Sequence, residues 1–388
     1  MIPYGHQDIT KKDIQNVINV LNSDYLTQGP TIPLFEKKLC NYTGAKYSVA
    51  VNSCTSALHI ACLALDLKPG DILWTSPITF VASANCALYC GATIDLVDIE
   101  SDTALISVKK LTEKLKQADK DGKLPKIIVP VHFSGQPCDM KEIYVLSQKY
   151  GFKIIEDAAH AIGATYQNKL IGNCQYSDIT VFSFHPVKLI TTGEGGAAMT
   201  NSSELSEKMT LLRSHGITRD VNMMQKKIDA PWYYEQIALG FNYRMTDIQA
   251  ALGISQLNRL DEYVVRRTEI SEWYENNLKS KGVTPLIQKS DRNSAHHLFV
   301  VKVLGGTIER NKLYLKLRSD DIGVNLHYIP INQQPFFQKE LGPGFNKVNV
   351  MNADKYFSQA LTLPLYPNIK LQQLKYISHK VNGFYGDN

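Results

Sequence analysis

Between about residues 45 and 200 the chain alternates short, nearly unbroken apolar runs with amphipathic stretches, and this alternation restricts the possible folds more than any other feature. The apolar runs at 47–52, 72–76, 93–99, 126–133 and 152–157 have strand length, and helical patterns at about 55–66, 79–90, 107–118 and 139–150 separate them. Strands that are apolar throughout are buried on both faces, as in a mainly parallel sheet covered by helices on each side. In such a sheet the functional residues lie beyond the carboxyl ends of the strands.

A first helix is expected at about 11–22, with Thr10 as its N-cap and Ile14, Val17, Ile18 and Leu21 on one face. After residue 200 the pattern changes to one long helical stretch at about 246–278. Beyond it lies a mixed region with a strand near 298–303 and a helix near 309–318. The expected division is a large α/β domain, 1–255, and a smaller C-terminal α+β domain, 256–388. With 44% hydrophobic and 20% charged residues among 388, the composition is globular and excludes disorder, collagen and coiled coil. The uncharged stretch 72–94 contains Pro77, Asn85 and Gly91 and reads as strand, turn and helix rather than a membrane span.

A net charge of +5 without a basic stripe argues against nucleic acid and suits an anionic small ligand equally well. The seven cysteines are odd in number and scattered, with no CxxC pair. That pattern indicates reduced thiols rather than disulfides or zinc, so no metal site is expected. The N-terminal MIPYGHQDITKKD has no apolar leader segment. A cytoplasmic protein without a membrane partner is the expectation.

The chemistry concentrates in 152–198. The strand at 152–157 ends on Glu156 and Asp157. A carboxylate there suits a metal ligand, a turn cap or the partner of a protonated ring nitrogen. Lys188 follows an apolar strand and precedes a Thr/Gly-rich turn; it is either a surface lysine or a desolvated amine nucleophile. Together, lysine and strand-terminal aspartate suit pyridoxal phosphate. Asn52, Ser53, Cys54, Thr55 and Ser56 stand between strand and helix, where free N–H groups bind phosphate or one hydroxyl simply caps the helix. Ser183 offers another hydroxyl. Phe80 is either a core aromatic or a stacking ring, and His160 either a structural histidine or a donor to a ring hydroxyl.

These segments, NSCTSALH, SPITFVASANC, PVHFSGQPCDM, IIEDAAHAIGA, VFSFHPVKLITTGEGGAAMTN, LRSHGITR and LGFNYRMTDIQAALG, occur in one order over nearly the whole chain. In that order they resemble the DegT/DnrJ/EryC/StrS family of fold-type I pyridoxal-phosphate aminotransferases, which act on nucleotide-linked keto sugars. The resemblance implies a mainly parallel seven-stranded sheet. Within the family, FSFHPVKLITTGEGG is most similar to the aminotransferases of pseudaminic acid synthesis. Those convert a UDP-linked 4-keto-6-deoxy-N-acetylhexosamine to its 4-amino sugar. Other nucleotide-linked keto sugars, or a non-catalytic regulatory role, are the alternatives.

Carried over residue by residue, the resemblance implies that Lys188 bonds the cofactor and Asp157 partners its ring nitrogen. It implies Phe80 stacking on the ring, His160 near its hydroxyl, and Cys54, Thr55 and Ser183 at the phosphate. Glutamate is the implied amino donor. Tyr4, Tyr25, Leu26, Thr27, His327, Tyr328 and Pro330 match positions that contact the nucleotide sugar in relatives. Asn242 matches an asparagine that the neighbouring subunit sends to the phosphate, with Arg244 beside it for an anionic group of donor or sugar nucleotide. A homodimer with shared active sites follows from that match.

Overall fold

Seven strands make one sheet in the computed structural model, which describes residues 1–226, 228, 230–342, 344–345 and 348–386. They are β1 (Tyr47–Val51), β2 (Ile72–Thr75), β3 (Thr93–Leu96), β4 (Ile127–Val129), β5 (Lys153–Asp157), β6 (Ile179–Ser183) and β7 (Gly196–Thr200). Their spatial order is β1-β7-β6-β5-β4-β2-β3. β7 runs antiparallel to both its neighbours, and the other pairings are parallel. β6 and β7 are buried along their whole length, as both faces of the sheet are covered. The helices are α1 (Lys11–Leu21), α2 (Thr31–Thr43), α3 (Cys54–Ala64), α4 (Ala82–Tyr89), α5 (Val108–Lys120), α6 (Met140–Tyr150) and α7 (Ser203–Arg213). β7 can start close against a neighbouring turn because residue 196 is glycine. A Cβ there would lie 2.6 Å from Cys54 N, inside the turn that joins β1 to α3.

Four local expectations change. The run at 93–99 pairs only over Thr93–Leu96. The run at 126–133 forms only Ile127–Val129, because Pro130 has no N–H to donate and the chain turns into a short 3-10 segment, Phe133–Gly135. On α1, Thr10 caps the helix as expected, but Ile14, Ile18 and Leu21 face solvent while Asp13 and Val20 are buried. The buried Asp13 carboxylate accepts from Arg259 Nη2 at 2.8 Å and Gln256 Nε2 at 3.0 Å. That paired contact decides which face turns inward, and the apolar stripe is left outside. The stretch at 246–278 is two helices, α8 (Asp247–Leu257) and α9 (Leu260–Asn277), broken at Asn258 and Arg259.

Beyond α9, the strands β8 (Val283–Pro285), β9 (Phe299–Val303) and β10 (Ala360–Leu363) form an antiparallel sheet with helix α10 (Gly306–Ser319) in contact. Leu257, Leu260 and Tyr263 belong to the core of the large sheet, and Ile270 and Tyr274 to a second core with Val301, Leu313 and Leu361. α9 thus joins both cores. We propose the division of the chain near residue 255, close to the break between α8 and α9. Among the described residues no helix is long and apolar enough to cross a membrane.

Candidate active site

The strand-end segments after β2, β4, β5 and β6 meet at one edge of the sheet and surround a cavity of about 890 Å³. Alternation along β5 sends Glu156 and Asp157 to opposite faces. Glu156 is enclosed by His132 Nε2 at 2.7 Å, Thr180 Oγ1 at 2.9 Å and the Ser177 hydroxyl. Burial pushes its carboxyl up, but these donors outweigh burial and hold it below its ordinary value. Asp157 faces the cavity. Its Oδ2 accepts from Ser83 Oγ at 2.5 Å and its Oδ1 from the Ala159 N–H at 3.0 Å.

Lys188 enters the same cavity from the turn after β6. Burial lowers its ammonium to about 8, against the opposing pull of Cys54 and Asp157. Among the described residues its Nζ makes no hydrogen bond or ion pair, so the amine is available to a ligand.

The start of α3 forms another wall. Ser53 caps the helix and accepts from the Ser56 N–H at 3.1 Å. The N–H groups of Cys54 and Thr55 have no acceptor among the described residues. With the Thr55 and Ser183 hydroxyls on the same cavity, they make an anion site at the positive end of a helix. The donor set fits pyridoxal phosphate. It has an anion site, a carboxylate held by two donors and an amine of lowered basicity around one space. Cys54, Thr55 and Ser183 would take the phosphate, Asp157 the ring nitrogen and Lys188 the aldehyde carbon.

The remaining wall is aromatic. His160 Nδ1 accepts from the Ser134 N–H at 3.3 Å, which fixes the proton on Nε2, 3.2 Å from Tyr328 Oη. Burial, then the nearby Lys188 and His327, keep His160 uncharged. The same order of causes, burial before Lys188, depresses His327 to about 3; its Nδ1 is 2.8 Å from Thr362 Oγ1. Tyr4 packs on His327 at 5.6 Å between centroids, and Phe80 faces Tyr328 at 6.2 Å while remaining 58% exposed.

Ten of the sixteen residues that the resemblance assigns to the site thus line one cavity: Tyr4, Cys54, Thr55, Phe80, Asp157, His160, Ser183, Lys188, His327 and Tyr328. Six do not. Pro330 is buried in the following turn, where Ile331 N–H donates to Pro77 O at 3.0 Å. Thr27 bridges to Thr246 and Arg244 to Val51, while Tyr25 and Leu26 stand exposed beside them. Asn242 is exposed, and its carbonyl receives Asn52 Nδ2 at 3.4 Å.

Ser83, Thr79, His297, Asn325 and Gln249 also belong to the site or its support, beyond the residues expected from the sequence. Thr79 and Ser83 are spaced four apart across a helix start, a signal present in the sequence. His297 belongs to a His-His pair entering a buried strand, and its ring lies 4.3 Å from that of His160. Asn325 and Gln249 reach the cavity from remote segments and carry no local signal.

The model of the DegT/DnrJ/EryC1/StrS aminotransferase family matches residues 7–382. The UDP-4-amino-4,6-dideoxy-N-acetyl-beta-L-altrosamine transaminase of Campylobacter jejuni (strain 81-176) is 38% identical over 379 residues, 97% of this chain and 96% of that one. The spore coat polysaccharide biosynthesis protein SpsC of Bacillus subtilis is 38% identical over 95% of this chain and 93% of its own. Among solved structures, Helicobacter pylori PseC, an aminotransferase involved in the biosynthesis of pseudoaminic acid, superposes with a TM-score of 0.90. It is 32% identical, and the match covers 100% of both chains.

Proposed function

The chain belongs to the DegT/DnrJ/EryC1/StrS aminotransferase family, and from that premise we propose that it moves an amino group from glutamate to C4 of a UDP-linked 4-keto-6-deoxy-N-acetylhexosamine. It is a pyridoxal-phosphate-dependent aminotransferase, as its family is. The specific sugar is supported by the likeness to the Campylobacter jejuni transaminase and to PseC. The observation that carries the reading is the cavity itself, where Lys188, Asp157 and the N–H groups of Cys54 and Thr55, without an acceptor among the described residues, meet.

When bound, pyridoxal phosphate supplies an electrophilic carbon for amine exchange and a ring that takes up the electron pair left by a departing proton. The chain's own residues do the rest. Lys188 Nζ, its proton held only weakly, would hold the aldehyde carbon and, once released from it, would take up and return a proton within the cavity. Asp157, accepting from Ser83 and Ala159, offers its carboxylate to a protonated ring nitrogen. The helix start and the Ser183 hydroxyl bind the phosphate. Phe80 would cover one face of the ring, and Tyr4, His327 and Tyr328 would meet the sugar side.

The same reading includes a second copy at the mouth. Leu26 O accepts from the Asp247 N–H at 3.0 Å, and the Asp247 carboxylate accepts from Gly29 N and Thr31 N, each at 2.8 Å. Residues 25–27 are thereby fixed beside Arg244, yet Tyr25 and Leu26 face outward, as do Ile14, Ile18 and Leu21 of α1 and Trp232, Tyr234 and Leu239 just before Asn242. Of these, Ile14, Ile18 and Leu21 share one face of α1 and form an exposed apolar stripe of the kind contact surfaces carry. They support a homodimer in which Asn242 and Arg244 complete the partner's site.

The test is a panel of UDP- and dTDP-linked keto sugars with glutamate, products being identified by mass and NMR. The expected product is the UDP-linked 4-amino sugar. Turnover confined to another keto sugar would replace the substrate, and no turnover with any of them would overturn the reading.

A further inference from the structure

Asp157 is the last member of a chain of hydroxyls. Ser83 Oγ lies 2.5 Å from Asp157 Oδ2, and Thr79 Oγ1 lies 2.7 Å from Ser83 Oγ. Both serine and threonine are buried. The direction of the bonds follows from valence. An ionised carboxylate accepts only, and a hydroxyl has one proton to give. Ser83 therefore donates to Asp157, and Thr79 donates to Ser83. The Ala159 N–H occupies the other carboxylate oxygen, so both oxygens have a fixed donor. Hydroxyl-to-carboxylate bonds of this length are charge-assisted and among the strongest a neutral side chain can make.

The geometry also explains the sequence order. Thr79, Phe80 and Ser83 share the turn that starts α4, where the Ser83 N–H donates to Phe80 O at 3.2 Å. One turn therefore carries a ring at the cavity mouth and two hydroxyls behind the carboxylate at its floor. His132 N–H holds the Asp157 carbonyl at 3.0 Å, so the backbone of the carboxylate is anchored from β4's side as well.

We propose that Ser83, oriented by Thr79, is a positioning residue of the transamination site, holding the Asp157 carboxylate in the one orientation that meets the ring nitrogen of the cofactor. This rests on the assignment of Asp157 made above. Ser83 acts through Asp157, and its removal leaves the carboxylate held at Oδ1 alone, by the Ala159 N–H.

The experiment uses apo-protein loaded with pyridoxal phosphate carrying 15N at the ring nitrogen, whose NMR signal reports protonation of that atom. Ser83→Ala is expected to shift the signal toward the unprotonated form, to weaken cofactor binding and to lower kcat about tenfold with KM for the sugar unchanged. Thr79→Val should move all three in the same direction by less, and Thr79→Ser, which keeps the hydroxyl, should recover them. The Thr79 pair carries the test if Ser83→Ala does not fold. A wild-type signal and kcat in both Ser83→Ala and Thr79→Val would overturn the proposal. Asp157→Asn separates the two levels. If it leaves signal and cofactor affinity unchanged, the assignment of Asp157 fails; if it alters both while Ser83→Ala alters neither, only the role of Ser83 fails.

Discussion

The floor of the cavity and its mouth are built in opposite ways. At the floor, Asp157, His160 and His327 are buried and bonded within the chain, to Ser83 and Ala159, to Ser134 and Tyr328, and to Thr362. At the mouth, the backbone of residues 25–31 is equally fixed by Asp247, but the side chains of Tyr25 and Leu26 point into solvent. A floor that satisfies its own polar groups can orient a cofactor without help. A mouth that is fixed but uncovered is suited to meet a second surface, and on this contrast rests the proposal that a second copy completes the site.

The largest effect is expected at the floor. Lys188→Ala should lower turnover of glutamate with the keto sugar by at least about a thousandfold, since it removes both nucleophile and proton carrier. A variant that kept turnover within tenfold of wild type would take Lys188 out of the chemistry.

The mouth is tested next. Asn242→Ala should weaken cofactor binding by roughly ten- to a hundredfold, the loss of one charge-assisted hydrogen bond. Mixing it with Lys188→Ala should restore part of the activity, because some sites in hybrid dimers receive both intact residues. Two folded variants that stay inactive when mixed, or a fully active monomer by light scattering, would break the contrast and assign the whole site to one chain.

A pH series sharpens the floor alone. Lys188 ionises at about 8, so its neutral fraction rises about tenfold per pH unit below that value and levels above it. The rate at which apo-protein captures pyridoxal phosphate should follow this curve, and a flat profile from pH 6 to 8 would contradict it. The linked stability has a definite sign. Between about 8 and the ordinary lysine value of 10.5 the unfolded chain binds more protons at this residue than the folded one. Folded apo-protein should therefore gain stability with rising pH across that window, a contribution absent from Lys188→Ala.

The smallest effect lies where floor and mouth meet. Tyr328→Phe removes a hydroxyl bonded to His160 Nε2, and KM for the sugar should rise by about fivefold with the cofactor absorbance unchanged. An unchanged KM would remove Tyr328 from the sugar side.

The floor was more legible in the sequence than the mouth for a physical reason. Strand and helix periodicity place residues near strand ends, so Asp157 at the end of β5 and Lys188 after β6 stand out locally. Strand parity also separates Glu156 from Asp157 once one of them is known to face the cavity. Ser83 was passed over because its importance depends on Asp157, 74 positions away. Asn325 and Gln249 arrive through tertiary folding alone. On α1 the apolar stripe suggested an inward face, but the buried Asp13–Arg259 pair turned the helix the other way, a contact between positions 246 apart that no local pattern shows. The long helical stretch failed at Asn258 and Arg259, where neither glycine nor proline marks the break.

The most direct measurement is to trap the bond between cofactor and protein. Protein loaded with pyridoxal phosphate is reduced with borohydride, digested and mapped by mass spectrometry. The expected result is one added phosphopyridoxyl mass, on the peptide containing Lys188, and none in Lys188→Ala. Label on another lysine, or a protein that binds no cofactor at all, would contradict the assignment of this cavity to pyridoxal-phosphate chemistry.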